Sequence, residues 1–125
     1  MTRSFDSHRV LGVAVLALLV LLAVLRSHWG TRLDGFTVDE PWHVVAGVSY
    51  VRTGDYRLNP EHPPLVKLVA GAAQSRGFVL PPFAPLVEKS QEREWVEDVM
   101  FLKNDSAAAQ QATRVSLWIY HGALL

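Results

Sequence analysis

Val10-Leu-Gly-Val-Ala-Val-Leu-Ala-Leu-Leu-Val-Leu-Leu-Ala-Val-Leu25 carries no polar side chain, and its reading decides what kind of protein this is. As a helix the run rises roughly 24 Å, at 1.5 Å per residue. The hydrocarbon core of a bilayer is about 30 Å thick. Arg9 and Arg26 flank the run and can snorkel, and Trp29 suits the interface, so a transmembrane helix over residues 10–28 is expected. A secretory signal peptide is the rival, with Arg3 and Arg9 as its positive end. The run closes on Leu25-Arg-Ser-His-Trp29, which lacks a small-x-small cleavage site. A buried core helix is a third reading, and nothing else in the chain is greasy enough to enclose such a cylinder. Arg3 and Arg9 before the run are matched by Arg26 and Arg32 after it, so charge gives no orientation.

The chain has 125 residues, 12 basic against 12 acidic side chains, and no cysteine. Zero formal charge gives no reason to expect a nucleic acid or other polyanionic partner. Without cysteine there is no disulfide framework and no thiolate site. The expected class is mainly α. Residues 1–9 precede the span, 10–28 cross the membrane, 29–112 form one long extramembrane loop, and 113–125 begin a second, truncated transmembrane helix. The last of these rests on Val115-Ser-Leu-Trp-Ile-Tyr-His-Gly-Ala-Leu-Leu125, which rises only about 16 Å as a helix.

Within the loop, chemistry concentrates in Thr37-Val-Asp-Glu-Pro-Trp-His43 and Asn59-Pro-Glu-His-Pro-Pro-Leu-Val-Lys67. Glu40, standing before a proline, is expected to be extended and to cap a helix over Pro41–Thr53 that stops at Gly54. Asp39 then lies one residue outside, beside the positive end of the helix dipole. Val44, Val48 and Val51 form a packing stripe, while Gly47 and Tyr50 continue the face of His43. A second helix is expected from Leu65 to Gln74, apolar enough to lie along a bilayer surface. Pro81, Pro82 and Pro85 mark a loop. Glu88 to Phe101 reads as a helix with Trp95, Val99 and Leu102 on one side and its acids on a solvated face.

Asp39, Glu40, His43, Glu61, His62 and Lys67 admit three chemistries. A carboxylate can act as a general base toward a hydroxyl. Asp39, His43, Glu61 and His62 can be read as ligands of a divalent metal. Lys67 can meet a phosphate as a point charge. None of these has a diagnostic spacing, and by residue type an ordinary charged loop is an equal reading.

The run from Asp39 to Lys67 resembles the first extracytoplasmic loop of the polyprenyl-phosphate-dependent glycosyltransferases. These include the protein O-mannosyltransferases and the lipid A aminoarabinose transferases, multi-spanning enzymes of the type C fold. The resemblance is carried by the Asp39-Glu40 pair, His43, the Gly54-Asp55 turn and the Asn59-Pro-Glu-His-Pro-Pro64 block. Asn104-Asp105 and Arg114 resemble the lead-in to the second span. It implies Asp39 as the base that activates the acceptor hydroxyl, Glu40 as the second acid of the pair, and His62 in the His-Pro-Pro that shapes the site. Lys67 matches the family's lysine after that motif, although Val66 stands where the mannosyltransferases have glycine.

The resemblance also implies an inverting transfer of sugar from a polyprenyl-phosphate-linked donor to a hydroxyl acceptor on protein or glycolipid. The setting would be the bacterial inner membrane, with the loop outside and a divalent metal an open question. The candidates to meet the donor phosphate are Lys67, His62 and His43, with Arg57 and Arg52 weaker ones. On this reading the chain is an amino-terminal part of such an enzyme, inactive alone. A single-span, membrane-anchored interaction module, or a metal-binding module, is the alternative.

Overall fold

The computed structural model describes residues 3–82 and 88–124, so the expected loop proline Pro85 lies outside the described residues. The protein is mainly helical, with no strand among the described residues. In chain order there are α1 (Arg3–Thr31), α2 (Glu40–Thr53), α3 (Pro64–Ala72), α4 (Lys89–Glu97), a π-helix (Asp98–Leu102) and α5 (Ser106–Leu124). They divide into two compact units, residues 1–34 with 118–125, and residues 35–117.

The first unit is built on α1. Its stretch Ser7–Thr31 is 25 residues long with a mean hydropathy of 2.6, long and apolar enough to cross a membrane. The helix outruns the apolar run at both ends because the polar residues there include no proline to stop it. Its apolar side chains face outward around the cylinder, with Val10 at 69% and Leu19 at 58% exposed. At the far end of this unit the Trp118 ring meets His28 edge-on, with centroids 4.9 Å apart. Gly122 lies near Val20 and Val24 at a distance a Cβ would tolerate.

The second unit is organised around α2. Pro41 sits in its first turn, where a missing N–H costs nothing. Gly54 ends it at φ 69°, with its N–H donating to the Tyr50 carbonyl. The helix begins at Glu40, one residue earlier than expected, so Asp39 and not Glu40 occupies the cap, at φ −91° and ψ −14°. From Val44 to Tyr50 every residue of α2 is buried, as in a helix covered on all sides. The expected stripe is therefore only part of the contact. Val44 and Val48 are fully buried, but Val51, in the emerging last turn, is 47% exposed.

α3 starts at Pro64 and packs on α2 through Lys67, Ala70 and Gly71, leaving Leu65 and Val66 outside. The two backbones touch at Gly47 and Gly71. A Cβ on Gly47 would lie 2.8 Å from the Gly71 nitrogen and inside the Lys67 carbonyl, and one on Gly71 would lie 2.6 Å from the Val48 nitrogen. No side chain fits there, and that is why both positions are glycine.

α4 opens with a capping box, in which the Glu88 and Gln91 side chains each take the other's backbone N–H. It then widens into the π-helix. The extra residue per turn brings Val99 and Met100 into the core beside Val96 but turns Leu102 out to 79% exposure, so Leu102 does not share the face of Val99. The Asn104 side chain brackets the chain, accepting from Val79 N–H at 2.7 Å and donating to the Val79 and Val99 carbonyls. Asp105 caps α5 through the Ala108 N–H at 3.0 Å. Residues 106–117 of α5 belong to this second unit. The expected second span is thus part of a longer helix bearing Gln110 and Arg114, and Ser7–Thr31 is the one candidate span among the described residues.

Replacing Gly47 or Gly71 by alanine is expected to lower stability by about 3 kcal/mol or more, because the obstructing atoms are backbone. Gly54→Ala, where only the positive φ is at stake, is expected to cost about 1 kcal/mol. Denaturant unfolding of the detergent-solubilised chain, followed by circular dichroism, ranks the three.

Candidate functional site

The start of α2 and the loop before α3 meet at a cleft of about 230 Å³. Asp39, Trp42, Asn59, Glu61, His62 and Lys89 line it. Asp39 is exposed and makes no side-chain capping bond. Its carboxylate has no hydrogen-bond or ion-pair partner among the described residues, and only its backbone carbonyl is engaged, by the His43 N–H at 3.1 Å.

Glu40, the next residue, has the opposite fate. One helical step turns it away, and its carboxylate takes both arms of the Arg114 guanidinium, Nε at 3.0 Å and Nη2 at 3.2 Å. Gln110 adds a bond at 3.2 Å. Glu40 and Arg114 side chains are only 13% and 12% exposed, and Arg114 also donates to the Gly35 carbonyl. A guanidinium and a carboxylate in this forked geometry neutralise one another, so Glu40 joins α5 to α2 and does not line the cleft.

His62 reaches the cleft because the chain turns sharply before it. Asn59 adopts φ 50°, a left-handed conformation that asparagine tolerates better than most residues. The His62 ring packs edge-on against His43, with centroids 5.2 Å apart. His43 is partly buried and its Nδ1 has no partner among the described residues, as is true of the Trp42 indole nitrogen. Burial, reinforced by the neighbouring His62 and Lys67, holds the His43 pKa below its ordinary 6.5 against the pull of Asp39 and Glu40.

Lys67 does not face the cleft. Its side chain is fully buried. The ammonium donates to the Asn59 carbonyl, to the His62 carbonyl at 2.8 Å and to the Tyr50 hydroxyl at 3.3 Å. Those bonds use all three of its protons. The expected phosphate contact is thereby corrected: Lys67 shapes the loop that presents His62. Burial lowers its pKa below the ordinary 10.5, with Glu61 and Glu92 opposing.

Arg57 lies in a different cleft, with Trp95 and Pro81, and forks onto Asp55 at 2.6–3.1 Å. Arg52 is committed to the Phe78 and Ser75 carbonyls at 2.5 and 2.6 Å. Neither is brought to Asp39. Among the described residues no three His, Asp or Glu side chains converge on a metal position, so Asp39, His43, Glu61 and His62 do not form a ligand set in this arrangement.

Besides Val38, which also lines the cleft, three cleft residues are absent from the expected site. Trp42 was within reach of sequence reasoning, because it stands three residues after Asp39 at the start of one helix. Asn59 carried a turn signal only. Lys89 had no signal, since its helix reads as a solvated charged face. Its ammonium bonds Glu61 at 2.8 Å and Glu92 at 2.9 Å. Burial lowers the Lys89 pKa, but the two carboxylates outweigh it and hold the value above 10.5. The hydrogen bond from Lys89 in turn pulls the Glu61 pKa below 4.5.

No family model, no curated protein and no solved structure matches this chain. The functional reading rests on the cleft and on the motif residues that line it.

Arg114→Met is expected to cost about 1–3 kcal/mol, because it strands a mostly buried carboxylate. Arg114→Met with Glu40→Gln should recover a good part of that loss in a double-mutant cycle of denaturant midpoints. For His43 the folded pKa lies below the unfolded one, so the unfolded chain takes up the proton first as pH falls. Stability is then full above about 6.5 and declines as pH drops toward the folded value. His43→Gln should flatten that part of a melting-temperature profile between pH 7.5 and 5.

Proposed function

We propose that residues 35–117 form the first extracytoplasmic loop of a membrane glycosyltransferase that moves a sugar from a polyprenyl-phosphate carrier to a hydroxyl acceptor. Asp39 is its general base. The observation that carries this reading is the cleft itself. An exposed, unpaired Asp39 carboxylate at a helix start shares it with His62, from a segment more than twenty residues away. These are the same two motifs in which the chain resembles those enzymes.

The chemistry follows from the groups present. A donor anchored by a lipid keeps its glycosidic phosphate near the bilayer surface, and α1 is long and apolar enough to hold the chain there. The acceptor hydroxyl gives its proton to the Asp39 carboxylate as its oxygen attacks the anomeric carbon. The bond to the phosphate oxygen breaks with its electron pair, and the configuration inverts. The Asp39 carboxylate lies at a helix start and lines the cleft with lone pairs open to accept that proton. Glu40 contributes as the anchor of α5 and not as a second base. The Lys67-bound loop holds His62 at the cleft wall. The multi-spanning type C architecture belongs to this proposal as the source of the remaining donor groove.

In membranes carrying the complete enzyme, Asp39→Asn is expected to reduce sugar transfer by at least about 100-fold with expression unchanged. Glu40→Gln should lower yield or thermal stability more than turnover per folded molecule. Transfer retained by Asp39→Asn would remove Asp39 from the mechanism.

A further inference from the structure

We infer that Lys89 is the residue that meets the donor's phosphate, and that it does so by exchanging the Glu61 carboxylate for a phosphate oxygen. This rests on the transferase reading and names the phosphate contact of the same cleft. The argument begins with elimination by geometry. Lys67 has every proton bound by loop oxygens, Arg52 and Arg57 are engaged elsewhere, and Arg114 is held by Glu40. Of the described lysines and arginines, only Lys89 lines the cleft that contains Asp39.

Its surroundings are built for exchange. The ammonium has three protons and two carboxylate partners. Glu92 is the buried partner, with its side chain 11% exposed, and holds the ammonium in place from within α4. Glu61 is the loose partner: its side chain is 53% exposed, and that of Lys89 is 56% exposed. An ion pair so open to water contributes little and reopens readily. A phosphate could not settle beside Glu61 as well as Glu92 and Asp39, because the carboxylates would repel it. Glu61 must swing into solvent as the phosphate arrives. It therefore acts as a competitor occupying the phosphate's place, and it directly precedes His62, so its departure is felt at the cleft wall.

The competition has a signature that a structural salt bridge lacks. Calorimetric titration of the full chain in nanodiscs with dimethylallyl phosphate, a water-soluble polyprenyl phosphate surrogate, reads it, with dimethylallyl alcohol and inorganic phosphate as controls. Lys89→Gln is expected to weaken binding of the phosphate ester about tenfold and Lys89→Arg to keep most of it. Glu61→Gln should tighten binding about threefold. A structural bridge predicts the reverse for Glu61→Gln, and weakening there would overturn the exchange. Unchanged binding by Lys89→Gln would overturn Lys89 as the contact while leaving the transferase reading intact. Equal affinity for inorganic phosphate would overturn the assignment to a lipid-linked phosphate. No binding of the ester by the unsubstituted chain would sink the inference, whereas transfer retained by Asp39→Asn in the complete enzyme would sink the function separately.

Discussion

The buried ammonium of Lys67 is the constraint on which the second unit depends. A charge taken out of water is costly unless each of its protons finds an oxygen. Lys67 finds them on the Asn59 and His62 carbonyls and the Tyr50 hydroxyl, and so binds three segments at one point. Tyr50 completes the arrangement by donating to the Leu58 carbonyl at 2.5 Å. The loop before α3 has few backbone partners of its own and would otherwise be loosely held. Here it is drawn down onto α2, and His62 is carried to the cleft. The ammonium can reach this position only because Gly47 and Gly71 let the two helices approach backbone to backbone.

A second consequence of helix geometry divides two adjacent acids. Asp39 and Glu40 are the same chemistry one residue apart, yet a helix rotates successive side chains by about 100°. Glu40 faces α5, where Arg114 and Gln110 neutralise it, and Asp39 faces water and the cleft. A structural ion pair and a free carboxylate thus arise from one dipeptide. The two carboxylates therefore differ in what they can meet: that of Glu40 is engaged by Arg114 and Gln110, and that of Asp39 is open at the cleft.

Much of the helical framework was legible in local signals. The Pro41 start, the Gly54 stop, the Pro63-Pro64 lead into α3 and the long apolar run of α1 each rest on backbone sterics or hydropathy, which act within a few residues. The misread positions have a common origin. Val51 and Leu102 were assigned to faces by a 3.6-residue period, and the first sits where α2 emerges from its covering while the second follows a π-helix that shifts the period. Lys67 was read as a phosphate ligand from its charge and from its match to the resembled family's lysine, whereas its burial is set by contacts with Tyr50, Asn59 and His62 that no local signal shows.

By itself the sequence determined that a membrane-length apolar helix precedes a proline- and acid-rich helical segment, and it named Asp39 and His62. Those facts come from side-chain chemistry and short-range sterics. Tertiary structure alone decided which acid is free, which lysine is buried and which lysine faces the cleft. Partners such as Glu40 with Arg114, and Lys89 with Glu61, are far apart in the chain and are chosen by packing. Charge pairing over such separations leaves no periodic mark in the sequence, because it depends on how helices stack and not on where their residues fall.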